Sequence, residues 1–291
     1  LSYAQAMMIQ FCFFGAYFLI SLPAGHLVSK VGYQKGIVIG LAIAGCGCLL
    51  FLPAARSLQY PFFLAALFIL ASGITVLQVA ANPYVAILGS AKTASARLTL
   101  TQAFNSLGTT LAPFFGALLI LSTATHDTAA NSQADAVELP YLILTAMLVA
   151  LAVLFSLMKL PTIHHSQESA SASASDQSIW SCRHLLLGAG AIFLYVGAEV
   201  SIGSLLVNFL GEPQIAGLAE AEAAKYVSFY WGGAMVGRFV GALLMQRISA
   251  GRALTFNSGA AVMLLLVAVF STGKMAMAAI LLIGLCNSIM F

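Results

Sequence analysis

The side chains of this sequence that could do chemistry are few, and most of them sit among apolar neighbours. Gln78 and Asn82 are four residues apart, with Thr75 close by, so on a helix they share one face. Gln102 and Asn105, three apart, make a second amide pair with Thr109 on the same side. An amide both donates and accepts hydrogen bonds, which suits the hydroxyls of a neutral polyol. The same groups also serve to tie one apolar helix to another, so each pair has two readings. Pro83 directly follows Asn82; it removes a backbone donor and is expected to interrupt the helix beside its amides. Glu199 is the acidic residue placed deepest in any apolar run. An acid there costs about 2.5–3.5 kcal/mol to insert, so it must be protonated, partnered or in contact with water. It is therefore either a substrate or coupling carboxylate that exchanges a cation, or a structural carboxyl bonded to a neighbour. Tyr195 lies on its face, whereas Ser201, Ser204 and Asn208 lie largely opposite. Tyr230 and Trp231 are placed either to stack on an apolar ring face or to anchor a helix at the membrane interface. Asn287 is a further candidate for the same cavity.

Other chemistries find no support. The five cysteines, Cys12, Cys46, Cys48, Cys182 and Cys286, are scattered with no histidine at ligand spacing, so neither a metal nor a redox site is expected. His26 reads as an interfacial residue. The sequence has no nucleophile elbow, no His-Glu-x-x-His and no phosphate-cradling loop. Neither an enzyme nor a cofactor is expected. The formal charge of +3 is spread over helix ends rather than clustered, so no nucleic-acid partner is expected either.

The elements that must position these residues are membrane helices. Only 7% of the 291 residues are charged and 61% are hydrophobic, against roughly a quarter charged in a soluble domain. Runs long enough to cross a bilayer core about 30 Å thick recur along the chain. Their breakers place nine spans near 4–28, 36–54, 61–88, 98–122, 139–160, 184–210, 221–246, 253–271 and 275–291. The Ser/Ala-rich tract Ser169 to Ser175 cannot bury a core. It marks a linker, 161–183, between a first bundle, 1–160, and a second, 184–291. With the linker cytoplasmic, that side holds Lys30, Lys35, Lys92, Arg97, Lys159, Arg183, Arg238, Arg247 and Arg252, nine cations against Arg56, Lys225 and Lys274 opposite. The far side instead carries Asp127, Asp135, Glu138, Glu212, Glu220 and Glu222. Arg238 and Arg247 are expected to set the cytoplasmic end of the seventh span by snorkelling. Glycines at every fourth residue, Gly36 and Gly40, then Gly233, Gly237 and Gly241, make flat stripes for close helix packing.

The two bundles also repeat a feature. Gly25, Leu27, Lys30, Gly32 and Lys35 form a basic turn after the first span, and Gly241, Leu243, Arg247, Gly251 and Arg252 a similar one after the seventh. Such a repeat suits a transporter made of two related halves. The turn PAGHLVSKVGYQKG resembles the loop signature of the major facilitator superfamily, with Ser29 where that pattern has an acidic residue. The segments LQVAANPYVAILG and ARLTLTQAFNSLGTTLAP resemble the fucose/glucose/galactose permease branch of the superfamily, and YVGAEVSIGS with GGAMVGRFVG continues the likeness. The resemblance implies an all-α membrane fold of two pseudo-repeated bundles, in which the nine spans correspond to helices two through ten of twelve. The chain is thus expected to be a fragment that begins and ends within helices, lacking the first helix and the last two. It further implies a monomeric sugar permease in the bacterial inner membrane, moving a hexose by alternating access with a proton or sodium ion. Gln78, Asn82, Gln102, Asn105, Glu199, Tyr230, Trp231 and Asn287 are then the substrate-binding candidates, and Glu199 the coupling candidate. Gly25, Lys30, Gly32, Lys35, Arg238 and Arg247 would form the gating loops. Fucose permeases carry a glutamate where this chain has Gln78, which cannot hold a proton, so proton symport, sodium coupling and facilitated diffusion all stay open. The competing readings are a drug/proton antiporter of the same fold, whose pocket would be more aromatic, and a membrane sugar sensor that does not transport.

Overall fold

A computed structural model describes residues 3–57, 59–116, 130–161 and 182–290, and among the described residues nine α-helices follow one another. They are α1 (Tyr3–Val31), α2 (Tyr33–Ser57), α3 (Tyr60–Ile87), α4 (Ala94–Gly116), α5 (Ala130–Leu157), α6 (Arg183–Gly211), α7 (Glu220–Leu244), α8 (Ala250–Phe270) and α9 (Gly273–Cys286). Short 3-10 turns at Ala91–Thr93 and Asn287–Ile289 precede α4 and extend α9. No strand occurs among the described residues. Each expected span has its helix, although residues 117–122 of the fourth lie outside the described residues. So do 162–181 of the linker, with the Ser169 to Ser175 tract, and Asp127.

Apolar length explains most of these elements. Seven of the helices are long and apolar enough to cross a bilayer. Of the other two, α4 is diluted by Arg97, Gln102, Asn105, Ser106 and several threonines. The last, α9, has 14 residues before its 3-10 extension. Burial runs opposite to that of a water-soluble protein. Phe18 and Phe270 are 81% and 82% exposed, whereas the fully buried positions are dominated by alanines such as Ala16, Ala66, Ala71, Ala80, Ala103 and Ala234. Small residues bring helices together and large apolar ones face outward, the arrangement lipid favours.

The helices group into two compact units, Leu1–Gly89 with Ala112–Pro161, and Ser90–Leu111 with Thr162–Phe291. In the first unit, α2 packs on α3, α5 and, through Val28, α1, around Ile37, Leu41, Ala80 and Ala152. A Cβ on Gly40 would lie 2.6 Å from the backbone nitrogen of Leu77, and one on Gly73 would strike the backbone of Ala44. Only glycine allows this approach of α2 to α3. The turn between α1 and α2 reverses through Gly32, whose φ of +85° is the left-handed region. Gln34 clamps that turn by donating to the carbonyls of Phe155 at 2.7 Å and Met158 at 2.6 Å, at the exit of α5. At the other end of the unit Arg56 grips Glu138 with two bonds of 2.5 and 3.0 Å.

In the second unit α7 packs on α9 and α6, and α8 on α9, around Leu206, Leu210, Tyr230, Ile280 and Ile283. Gly284 lies against the carbonyl of Tyr230, and a Cβ on Gly237 would lie 2.6 Å from that of Ser288. The basic turn after α7 reverses through residues 245–249 by carbonyl bonds from Gly241 and Leu244. Its Gly251 belongs to α8 and has no positive φ. The two basic turns are therefore alike in composition and different in backbone geometry.

Candidate functional site

The polar cluster of the second unit grows from side chains one helical turn apart. On α6, Tyr195 and Glu199 share a face, and Glu199 is only 8% exposed. On α7, Tyr230, Ala234 and Arg238 recur every fourth residue, and the first two are wholly buried. Arg238 thus lies on the buried stripe of its helix and not at a snorkelling position, which corrects the expectation that it sets the cytoplasmic end of the span with Arg247. Its Nη2 lies 3.6 Å from Glu199 Oε1, with both side chains nearly buried. Its Nε donates to the carbonyl of Ser288 at 3.3 Å, and its Nη1 donates to Ser106 Oγ on α4. Arg247 itself stays exposed in the turn.

Asn287 closes the other side of the cluster. Because the chain tightens into a 3-10 turn after α9, this residue and Ser288 are both buried. Asn287 Nδ2 donates to the Tyr230 hydroxyl at 2.7 Å, and its carbonyl accepts from the Tyr195 hydroxyl at 2.8 Å. Tyr230 is therefore neither a free stacking ring nor an interfacial anchor, since its ring is wholly buried and its hydroxyl already accepts a bond. Trp231 keeps 36% of its surface exposed and lays its ring over Gly203.

On α4, Asn105 Nδ2 donates to Gln102 Oε1 at 3.3 Å and Asn105 is exposed. Ser106 Oγ donates to the Gln102 carbonyl at 2.9 Å while receiving Arg238. The two amides thus stand next to the residue that meets the buried arginine. Ser106 and Ser288 escape the sequence reading. Ser106 had a signal, four residues from Gln102 on the same face, but Ser288 is brought in by a turn that no pattern foretells.

Gln78 and Asn82 belong to the first unit, half-buried on α3, and neither is hydrogen-bonded by its side chain to another described residue. Thr75 is buried with its hydroxyl donating to the Ala71 carbonyl at 2.8 Å, so it faces its own helix. The expected interruption at Pro83 is absent: α3 runs through to Ile87, and Pro83 lies in its final turns. The basic turn keeps Lys30 and Lys35 exposed, and Ser29 donates to the His26 carbonyl at 2.8 Å.

A buried ion pair beside hydroxyls and amides, inside a protein that exposes many large apolar side chains, marks a candidate functional site of a membrane protein. The sequence profile of the Major Facilitator Superfamily matches residues 1–291. The chain belongs to that superfamily. Among relatives, the glucose/galactose transporter of Brucella abortus (strain 9-941) is 58% identical over 291 residues, covering 100% of this chain and 70% of that protein. The L-fucose-proton symporter of Escherichia coli (strain K12) is 35% identical over 305 residues, covering 99% of this chain and 69% of that protein. The crystal structure of FucP, a Major Facilitator Superfamily transporter, in the outward conformation superposes with a TM-score of 0.88 at 33% identity, over 99% of this chain and 74% of that one. As a Major Facilitator Superfamily member the chain is a multi-pass integral membrane transporter and not an enzyme. The likeness to FucP extends over both units, because it covers nearly the whole chain.

Proposed function

We propose that this protein is a hexose permease of a bacterial inner membrane, working as a monomer in the lipid bilayer by alternating access with a proton or sodium ion moving alongside the sugar. The observation that carries this reading is the polar cluster of the second unit. Amides and hydroxyls outnumber charges there, and its one acid and one base neutralise each other. Such a lining suits a neutral solute with many hydroxyls. The relatives named for glucose/galactose and for L-fucose point to the same class of substrate. Asn105, Gln102 and Asn287 are the proposed sugar ligands of this cluster, and Gln78 and Asn82 are proposed sugar-binding residues on α3. Glu199 is the proposed group through which the coupling cation acts: its Oε1 is buried and accepts no hydrogen bond. Trp231 supplies the one partly open aromatic ring of the proposed set. Lys30, Lys35 and Arg247, with the glycines Gly25 and Gly32 of the first turn, form the proposed gating turns.

The test is uptake of labelled glucose, galactose, fucose and N-acetylglucosamine into vesicles containing the protein, with a proton or sodium gradient imposed. Accumulation of one sugar under one gradient is the expected outcome and names the ion. Absence of uptake of any of them by folded, inserted protein overturns the reading in favour of a sensor or a drug antiporter.

A further inference from the structure

The ion pair in the cluster has a geometry that goes beyond holding two helices together. Arg238 reaches three elements at once, Ser106 on α4, Ser288 after α9 and Glu199 on α6. Its contact with Glu199 is an ion pair at 3.6 Å, longer than a hydrogen bond. Glu199 Oε1 accordingly neutralises the guanidinium while keeping its own acceptor sites unfilled. Two hydrogen bonds hold Arg238 without Glu199, so a change at the acid leaves the base in place and positively charged. Ser106, which receives Arg238, is the chain neighbour of Asn105.

We infer that Glu199 is a specificity-determining residue: by neutralising Arg238 beside the amides of α4, it makes the site accept neutral hexoses and reject hexuronates, sugars whose C6 is a carboxylate. The inference rests on the hexose reading given above and deepens it. A carboxylate entering the present site meets an arginine whose charge is already cancelled, beside a second carboxylate of its own sign. It gives up its hydration for no net attraction, and repulsion from an existing charge is a usual means of excluding the wrong ligand. With Glu199 replaced by a neutral isostere, the arginine keeps its two hydrogen bonds but loses its counter-charge, and an incoming carboxylate supplies the missing negative charge. Guanidinium and carboxylate are matched in shape as well as in sign.

The experiment measures equilibrium binding of D-galactose, D-glucose and D-galacturonate to the purified protein at neutral pH, without a gradient, in the wild type, Glu199→Gln and the double variant Glu199→Gln/Arg238→Gln. The wild type is expected to bind a neutral hexose and to discriminate against galacturonate. Glu199→Gln should shift the galactose-to-galacturonate preference by at least about tenfold toward the acid, about 1.4 kcal/mol. The double variant should return the preference toward the neutral sugar. A wild type that binds galactose or glucose, together with a Glu199→Gln protein that rejects galacturonate as strongly, overturns the inference while leaving the hexose reading intact. Loss of all binding in Glu199→Gln overturns it even where the double variant recovers hexose binding, because the uncompensated arginine then fails to recruit the acid. Loss in both variants overturns it. A wild type that binds neither hexose overturns the hexose reading itself, and the inference with it.

Discussion

Glu199 and Arg238 answer the same physical demand from opposite sides. Neither charge tolerates burial alone, and removing one partner from a buried pair costs about 3–5 kcal/mol because the other is left uncompensated. Arg238→Ala should therefore lower the thermal unfolding midpoint in detergent well below that of Glu199→Gln/Arg238→Gln, where both charges are gone. Equal midpoints would mean that the 3.6 Å contact contributes no coupling. The sugar ligands belong to a smaller scale of energy. Asn105→Ala and Gln78→Ala each remove neutral hydrogen bonds, net about 0.5–1.5 kcal/mol, so each should weaken hexose affinity by roughly two- to tenfold. Unchanged dissociation constants in both would remove these amides from the site. Glu199 was legible in the sequence because an acid in an apolar run has no cheap explanation. The burial of Arg238 is not legible in the same way, because position within a span looks the same for a snorkelling and an inward-facing arginine. The distinction lay in its spacing from Tyr230 and Ala234, whose burial depends on what packs against them.

Helices are set by apolar length and by the small residues that let them meet. At Gly73 an added methyl would strike the backbone of Ala44, whereas at Gly259 on α8 nothing lies within 4 Å. Gly73→Ala should cost about 1–3 kcal/mol by overpacking, and Gly259→Ala should hold or raise stability by up to about 1 kcal/mol through helix propensity. Thermal unfolding of the two variants side by side checks this, and a Gly73→Ala protein as stable as the wild type would show that α2 and α3 have room to part. Nine spans can be counted from the sequence because a breaker or a charge separates each run from the next. Their detailed behaviour cannot. Pro83 was expected to break α3, yet a proline close to a helix end forfeits one bond there and the helix continues around it. The sequence leaves Tyr230 open between a stacking ring and an interfacial anchor, and neither foretells its burial, because the glycine it meets, Gly284, lies more than fifty residues away. The Gln34 clamp on the exit of α5 is equally silent in sequence, since its acceptors are backbone carbonyls.

Across the molecule, the disposition of charge predicts which side of the membrane each turn faces. Arg238 no longer belongs among the cytoplasmic cations, yet the bias that remains is eight against three: Lys30, Lys35, Lys92, Arg97, Lys159, Arg183, Arg247 and Arg252 against Arg56, Lys225 and Lys274. The structure keeps these two sets at opposite helix ends. Arg183 opens α6 and Arg252 lies at the start of α8, while Arg56 closes α2 and Lys274 lies at the start of α9. One native residue can report the orientation. Cys182 is a free, exposed thiol immediately before α6, at the end carrying Arg183. Cys12, Cys48 and Cys286 are wholly or partly buried, and Cys46, though exposed, lies within the span of α2, out of reach of a membrane-impermeant reagent. A membrane-impermeant maleimide should therefore label the protein in inverted vesicles and leave it unlabelled in intact cells, and Cys182→Ser should abolish the signal. Labelling from outside intact cells would reverse the assignment. It would place both basic turns on the external face, against the retention of Lys and Arg in cytoplasmic loops, and the gating turns proposed here would then guard the opposite mouth of the transporter.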